Sequence, residues 1–300
     1  MSRNSASGLL LLAAFFWGAG NVANKTVLAH IDPLTAVCLR ALLAALIIAP
    51  FAAREMRLTP KPQGLQSAML VALLFAAALV FQQYAYKITT VTNASFLVNT
   101  SSIMVPLLGW ALLGQRPNLR ISLAALITVG GALLMAGQVS LAHMNRGDIA
   151  CIISAAFYAG WMIALGHHAA TYQRPFFTSL VQFGVTAAVL APLSALFEIP
   201  QLGNVQAALP ELLVLGVFST AAAFALQATA QRYVQTSVAA VLVSAESLFG
   251  AAGAWLLLGE LTPTTGLIGA ALILGGIVIA ATGAAPLLQT PLPNTRGATR

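Results

Sequence analysis

Charged side chains are scarce in this chain. Only 7% of its 300 residues are Asp, Glu, Lys or Arg, against about a quarter in an ordinary soluble domain. The seven acids and fourteen bases form no charged block, so the net charge of +7 does not make a nucleic-acid-binding surface. Cysteine is rarer still. Cys38 and Cys151 both lie in apolar stretches, which excludes a disulfide framework and a cysteine metal site and leaves two buried thiols. His143, His167 and His168 fall at the ends of apolar stretches, with His167–His168 expected as a solvated loop pair. There is no metal-ligand spacing, phosphate loop or nucleophile–base arrangement, so neither an enzyme nor a cofactor is expected. No polar stretch is long enough for a soluble domain, and an ATP-binding engine would have to be another chain.

What the chain has instead is apolar length. It is 59% hydrophobic with a mean hydropathy of +0.88. A membrane-spanning helix needs about 20 apolar residues. Reading from breaker to breaker gives ten spans: 8–29, 33–53, 65–86, 91–113, 119–138, 147–169, 175–197, 209–231, 236–258 and 264–284. Proline marks many of the links, as at Pro33, Pro117, Pro175 and Pro263. Arg3 ahead of an apolar run mimics a signal peptide, but no clear cleavage site follows, so the run is expected to remain as the first span. The expected fold is an all-α integral membrane protein of ten transmembrane helices.

The ten spans are a duplication. Trp110–Gly114 reads WALLG and Trp255–Gly259 reads WLLLG, 145 residues later. At that offset 12 of the 45 positions from 92 to 136 are identical, including Gly130–Gly131 with Gly275–Gly276. Phe16–Trp17 matches Phe157–Tyr158 at an offset of 141, and Pro33 and Pro50 match Pro175 and Pro192 at 142, which sets Arg40 opposite Gln182. Five spans per copy is an odd number, so the second copy enters the membrane inverted. Inverted repeats are an architecture of secondary transporters, with the substrate near the midplane between the copies. The expected units are residues 1–142, 143–285 and a disordered cytoplasmic tail over 286–300.

This layout resembles the drug/metabolite transporter superfamily and, within it, the EamA family. The resemblance covers residues 8 to about 284. Ala245–Glu260 (AESLFGAAGAWLLLGE) is similar to the signature of that family's ninth helix through Glu246, Phe249, Leu258, Gly259 and Glu260. Trp17–Gly18 and Arg40 also fit the family pattern. Ser247 stands where proline is usual, which removes a residue that would impose a kink, and Gln115 stands where Glu260 keeps an acid. The resemblance implies a transporter in the inner membrane that exports or exchanges amino acids and other small metabolites. A YddG-type exporter of aromatic amino acids is one branch. A carrier of another solute (a purine, a sugar, a drug-like cation) and a non-transporting sensor are the alternatives.

Polar side chains in mid-span are costly and face other helices or a wet cavity. Trp17, Asn21 and Asn24 share one face of the first span, Gln82 and Tyr86 lie beside Gln83 in the third, and Ser95, Asn99 and Ser102 share a face of the fourth. The repeat relates Gln82 to Gln227, Tyr86 to Gln231, and Asn99 to Ser244. Symmetric patches should converge on a common central space, so the candidate substrate-binding residues are Trp17, Asn21, Gln82, Gln83, Tyr86, Asn99, Tyr158, Trp161, Gln227 and Ser244. The bland reading of the same residues is helix–helix hydrogen bonding, and of the aromatics lipid or interface anchoring. Glu246 and Arg40 are the charged side chains well inside spans. Each reads either as a coupling or substrate-contact charge or as part of the framework. The expected partners are a small-molecule substrate and membrane lipid, with a proton as the candidate coupling ion and no nucleic acid. Monomer and homodimer both stay open.

Lys and Arg accumulate in cytoplasmic loops. With the N-terminus inside, ten of them fall inside and only Lys25, Lys87 and Arg146 outside, Arg40 being within a span. Both termini are therefore expected in the cytoplasm. A reporter active only in the periplasm, fused after Arg300, should be silent, and activity there would reverse the orientation.

Overall fold

A computed structural model of the chain describes residues 1–58, 64–89, 91–114, 118–136, 144–258 and 264–283. Gln115, His143, Gly259, Glu260 and the tail from 286 lie outside the described residues, as does the side chain of Ser95. Every regular element among the described residues is helical. Besides the short turns Val27–Ala29 and Leu202–Ala207, in order they are helix 1 (Arg3–Thr26), helix 2 (Pro33–Leu58), helix 3 (Leu65–Ile88), helix 4 in two segments (Val91–Asn99 and Ser101–Leu113), helix 5 (Leu119–Ala136), helix 6 (Arg146–Tyr172), helix 7 (Pro175–Phe197), helix 8 (Leu209–Ala230), helix 9 in two segments (Thr236–Val243 and Glu246–Leu258) and helix 10 (Thr264–Gly283). Among the described residues eight apolar stretches are long enough to cross a membrane, and Phe96–Leu112 and Leu119–Met135 are shorter. Large apolar side chains cover the outside: Leu46, Leu70, Leu112, Leu126, Leu256 and Val278 are each more than half exposed. In water such a surface would aggregate, whereas in a bilayer it is the lipid contact.

Most spans begin or end within a few residues of expectation. One extension corrects a reading. Helix 6 runs on to Tyr172 and takes both histidines with it. His167 is exposed, but His168 is fully buried, with its Nδ1 2.7 Å from Ser67 Oγ and its ring 4.8 Å from that of Tyr172. They are not a solvated loop pair.

Helices 4 and 9 break at repeat-related points, Thr100 and Ser244–Ala245. Around each break the ladder tightens to i→i−3 bonds: Thr100 N donates to Leu97 O and Ile103 N to Thr100 O in one half, Ala245 N to Leu242 O and Leu248 N to Ala245 O in the other. Hydroxyls bond back to carbonyls at each break, with Thr100 Oγ1 on Leu97 O, Ser102 Oγ on Asn99 O and Ser244 Oγ on Ala240 O. Such back-bonding bends helices. Helix 9 therefore breaks without the proline that Ser247 replaces.

The two halves interlock. Helix 1 packs on helices 8 and 9, and helix 6 on helices 3 and 4, which is the same contact seen from each repeat. Helix 2 pairs with helix 7 and helix 5 with helix 10. The helix 2–7 pair is capped crosswise at both ends. Glu198, just past helix 7, accepts from Leu34 N (2.8 Å) and Thr35 N (2.7 Å) at the start of helix 2, and Glu55, near the end of helix 2, accepts from Phe177 N (2.7 Å) at the start of helix 7. Each carboxylate satisfies orphan amides at a helix N-terminus, where negative charge is favoured. On one face of the bundle Lys25 Nζ donates to Tyr86 O (2.5 Å) and Thr89 O (3.1 Å), and Thr89 Oγ1 to Asp148 Oδ1 (2.6 Å). This ties the ends of helices 1 and 3 to the start of helix 6.

Helices 5 and 10 touch backbone to backbone. A methyl group added at Gly131 would lie 2.5 Å from Gly269 O and 2.9 Å from Ile273 N, whereas one at Gly130 would meet nothing within 4 Å. Of the four glycines paired by the repeat, Gly131 and Gly276 make the interface, and Gly130 and Gly275 face open space. Gly131→Ala should therefore destabilise the protein by about 1–3 kcal/mol, with Gly130→Ala near neutral. Thermal unfolding in detergent checks this, and equal shifts for the two variants would contradict the interface.

Candidate functional site

Where the breaks of helices 4 and 9 face helices 1, 3, 6 and 8, the bundle forms a partly open pocket, with about 550 Å³ of space between atoms when the solvent at its mouth is counted. Its lining follows the duplication. Trp17 and Tyr158, Asn21 and Met162, Gln82 and Gln227, Val98 and Val243, and Ser101 and Glu246 are repeat-related pairs, and both members of each line it. The cavity thus straddles the axis relating the halves. Asn24, Arg40, Asn99, Trp161 and Phe224 complete the lining.

Nine of the twelve residues singled out from the sequence meet here: Trp17, Arg40, Asn21, Gln82, Asn99, Tyr158, Trp161, Gln227 and Glu246. Gln83, Tyr86 and Ser244 stand outside the lining. Gln83 Nε2 donates to Asn24 O at 2.8 Å, Tyr86 OH donates to Asn21 Oδ1 at 3.1 Å, and Ser244 Oγ serves its own helix. They hold the lining residues in place from behind.

The polar lining is stitched across the two halves. Asn21 Nδ2 donates to Glu246 Oε1 at 3.0 Å. Tyr158 OH donates to Gln82 Oε1 at 2.8 Å, and Asn99 Nδ2 donates to Ser247 Oγ. Trp17 Nε1 donates to Ser219 O at 2.9 Å. Helix 1 comes near enough for these bonds because Gly18 sits on the break of helix 9, where a methyl group would lie 2.6 Å from Glu246 O and 2.7 Å from Gly250 N. Arg40, 2% exposed, donates through Nε to Thr220 Oγ1 and through a terminal nitrogen to Asn24 Oδ1, both at 2.8 Å. Both Ser219 and Thr220 belong to a nine-residue π-helical stretch of helix 8, Val214–Ala222. Such turns recur at functional sites.

Arg40 and Glu246 line one cavity yet form no ion pair with each other; each is held by neutral groups. One wall is aromatic. Phe224 sits 4.8 Å from the ring of Trp17 and 5.4 Å from that of Trp161, and Tyr158 lies edge-on to Trp161 at 6.0 Å. Phe75 and Phe183 back this wall. The arrangement offers a fixed cation, a carboxylate and a flat apolar face within one small space.

Sequence reasoning passed over Phe224. Its signal was position: it precedes Gln227 by three residues, on the same helical face. Asn24 was on the recognised stripe of helix 1 and proves to be Arg40's partner.

The sequence profile of the EamA-like transporter family matches the chain twice, over residues 4–137 and 145–282. An uncharacterized transporter of Archaeoglobus fulgidus is 27% identical over 274 residues, 90% of this chain and 83% of that protein. The uncharacterized transporter YwfM of Bacillus subtilis is 26% identical over 283 residues, 93% of this chain and 94% of its own length. One solved crystal structure superposes with a TM-score of 0.76 over 94% of this chain and 98% of the other, at 19% identity, a likeness of fold alone. The chain belongs to the EamA-like transporter family: it is a multi-pass membrane transporter built from two copies of a five-helix unit.

Proposed function

We propose that this transporter exports small amphipathic metabolites, amino acids foremost, across the inner membrane by alternating access, the two halves rocking around the central cavity. The observation that carries this reading is the pair of unpaired opposite charges. Arg40 and Glu246 open onto one cavity between the halves, each held only by neutral hydrogen-bond partners. Buried charges seek a counter-ion. A zwitterion supplies both, its carboxylate to Arg40 and its ammonium to Glu246. The wall of Trp17, Tyr158, Trp161 and Phe224 suits a flat or apolar side chain, which favours aromatic members of the class. Gln82 and Asn99 complete the polar rim while holding the halves together.

Glu246 has two possible duties, and they are separable. As a proton-coupling site it would be needed only for accumulation driven by a pH gradient. As the ammonium contact it is needed for every mode of transport. The second duty is the one its sharing of the lining with Arg40 supports. In proteoliposomes, Arg40→Gln and Glu246→Gln should each lower counterflow of labelled amino acids by at least about tenfold. Gradient-driven uptake should fall in parallel. Full counterflow in Glu246→Gln with loss of gradient-driven uptake would make it the coupling site. Full activity in both variants would remove the zwitterion reading.

A further inference from the structure

Among the described lining residues, Gln227 stands apart. It is 1% exposed, and both polar atoms of its amide, Oε1 and Nε2, lack a hydrogen-bond partner. Because both atoms are bare, the observation holds whichever way the amide is turned. A buried amide with neither bond made is costly, and more so inside a membrane.

The repeat explains why this amide is bare. Its counterpart is Gln82, whose Oε1 accepts from Tyr158 OH at 2.8 Å. Tyr158's own counterpart is Trp17. An indole has one N–H and no acceptor, and Trp17 gives that N–H to Ser219 O at 2.9 Å. The half that ends in tyrosine satisfies its glutamine, and the half that ends in tryptophan cannot. The phenol hydroxyl that serves Gln82 has no equivalent on Trp17 to serve Gln227. The flat face of Phe224 lies one turn away on the same helix.

The geometry points to Gln227 as the residue that reads the cargo's side chain, selecting amino acids whose side chain carries a group that both donates and accepts, a hydroxyl or a carboxamide. This rests on the reading of the cavity as an amino-acid site. A group of that kind donates to Oε1 or accepts from Nε2. An apolar side chain of the same shape leaves the amide bare, and sites built to bond a hydroxyl discriminate strongly against the analogue lacking it. A framework role makes the opposite demand, because a framework glutamine would have its bonds within the protein.

The test uses two nearly isosteric pairs, tyrosine against phenylalanine and threonine against valine. Each competes for counterflow of a labelled amino acid in liposomes holding the wild-type chain or Gln227→Leu. Wild type should prefer the polar member of each pair by at least about tenfold. In Gln227→Leu the preference should vanish or reverse, and the melting temperature should be unchanged or higher, because leucine removes an unpartnered amide from apolar surroundings. If the leucine variant does not reach the membrane, Gln227→Met serves, being unbranched like glutamine. No preference in wild type, or a preference that survives in the variant, would overturn the assignment. A clear loss of thermal stability would mark Gln227 as framework and overturn it too. No counterflow with any amino acid of the panel would overturn the amino-acid reading itself, and this assignment with it. Counterflow without preference would overturn the role of Gln227 alone.

Discussion

A bilayer offers a buried polar group no water, so every such group needs a partner from the protein. In this chain that partner usually comes from the opposite half. Asn21 reaches Glu246, Tyr158 reaches Gln82, Asn99 reaches Ser247, Trp17 reaches the Ser219 carbonyl, and Arg40 reaches Thr220. The same logic governs the helix ends, where Glu198 and Glu55 cap helices of the half they do not belong to. These bonds place the cavity where it is, because a polar surface between two apolar bundles is stable only where the bundles face each other.

Each of these contacts is weak on its own. An interhelical hydrogen bond in a membrane contributes about 0.6–2 kcal/mol. A few together hold the halves in register, and none alone locks them. The backbone contact of helices 5 and 10 and the doubly capped pair of helices 2 and 7 are of a different kind. They make extended surfaces and carboxylate-capped ends, while helices 1, 3, 6 and 8, with Arg40 of helix 2, carry the lining. The breaks in helices 4 and 9 put Asn99, Ser101 and Glu246 at the cavity and free the backbone there to bend.

Much of this is legible in the sequence. The ten spans follow from apolar runs between prolines, and the duplication from WALLG and WLLLG. Convergence of the polar stripes follows from symmetry, since Gln82 and Gln227 can meet only near the axis. What escaped depends on distances no spacing encodes. That Tyr86 and Gln83 stand behind the lining depends on the rotation of helix 3. His168 is buried because helix 6 continues past the apolar run and meets Ser67. The break in helix 9 goes with the Ser244 hydroxyl and i→i−3 bonds, where only a missing proline was visible. Phe224 reads as one more apolar residue until Trp17 and Trp161 are seen against it.

The central claim is that cargo occupies the cavity between the halves. Val243, which lines it, can be replaced by cysteine in a chain lacking Cys38 and Cys151, and its alkylation followed from each side of the membrane. The account predicts that small polar thiol reagents reach the position from both sides as the halves alternate, and that a transported amino acid slows labelling from either side. A cysteine that reacts from neither side, or at the same rate with and without cargo, would contradict it.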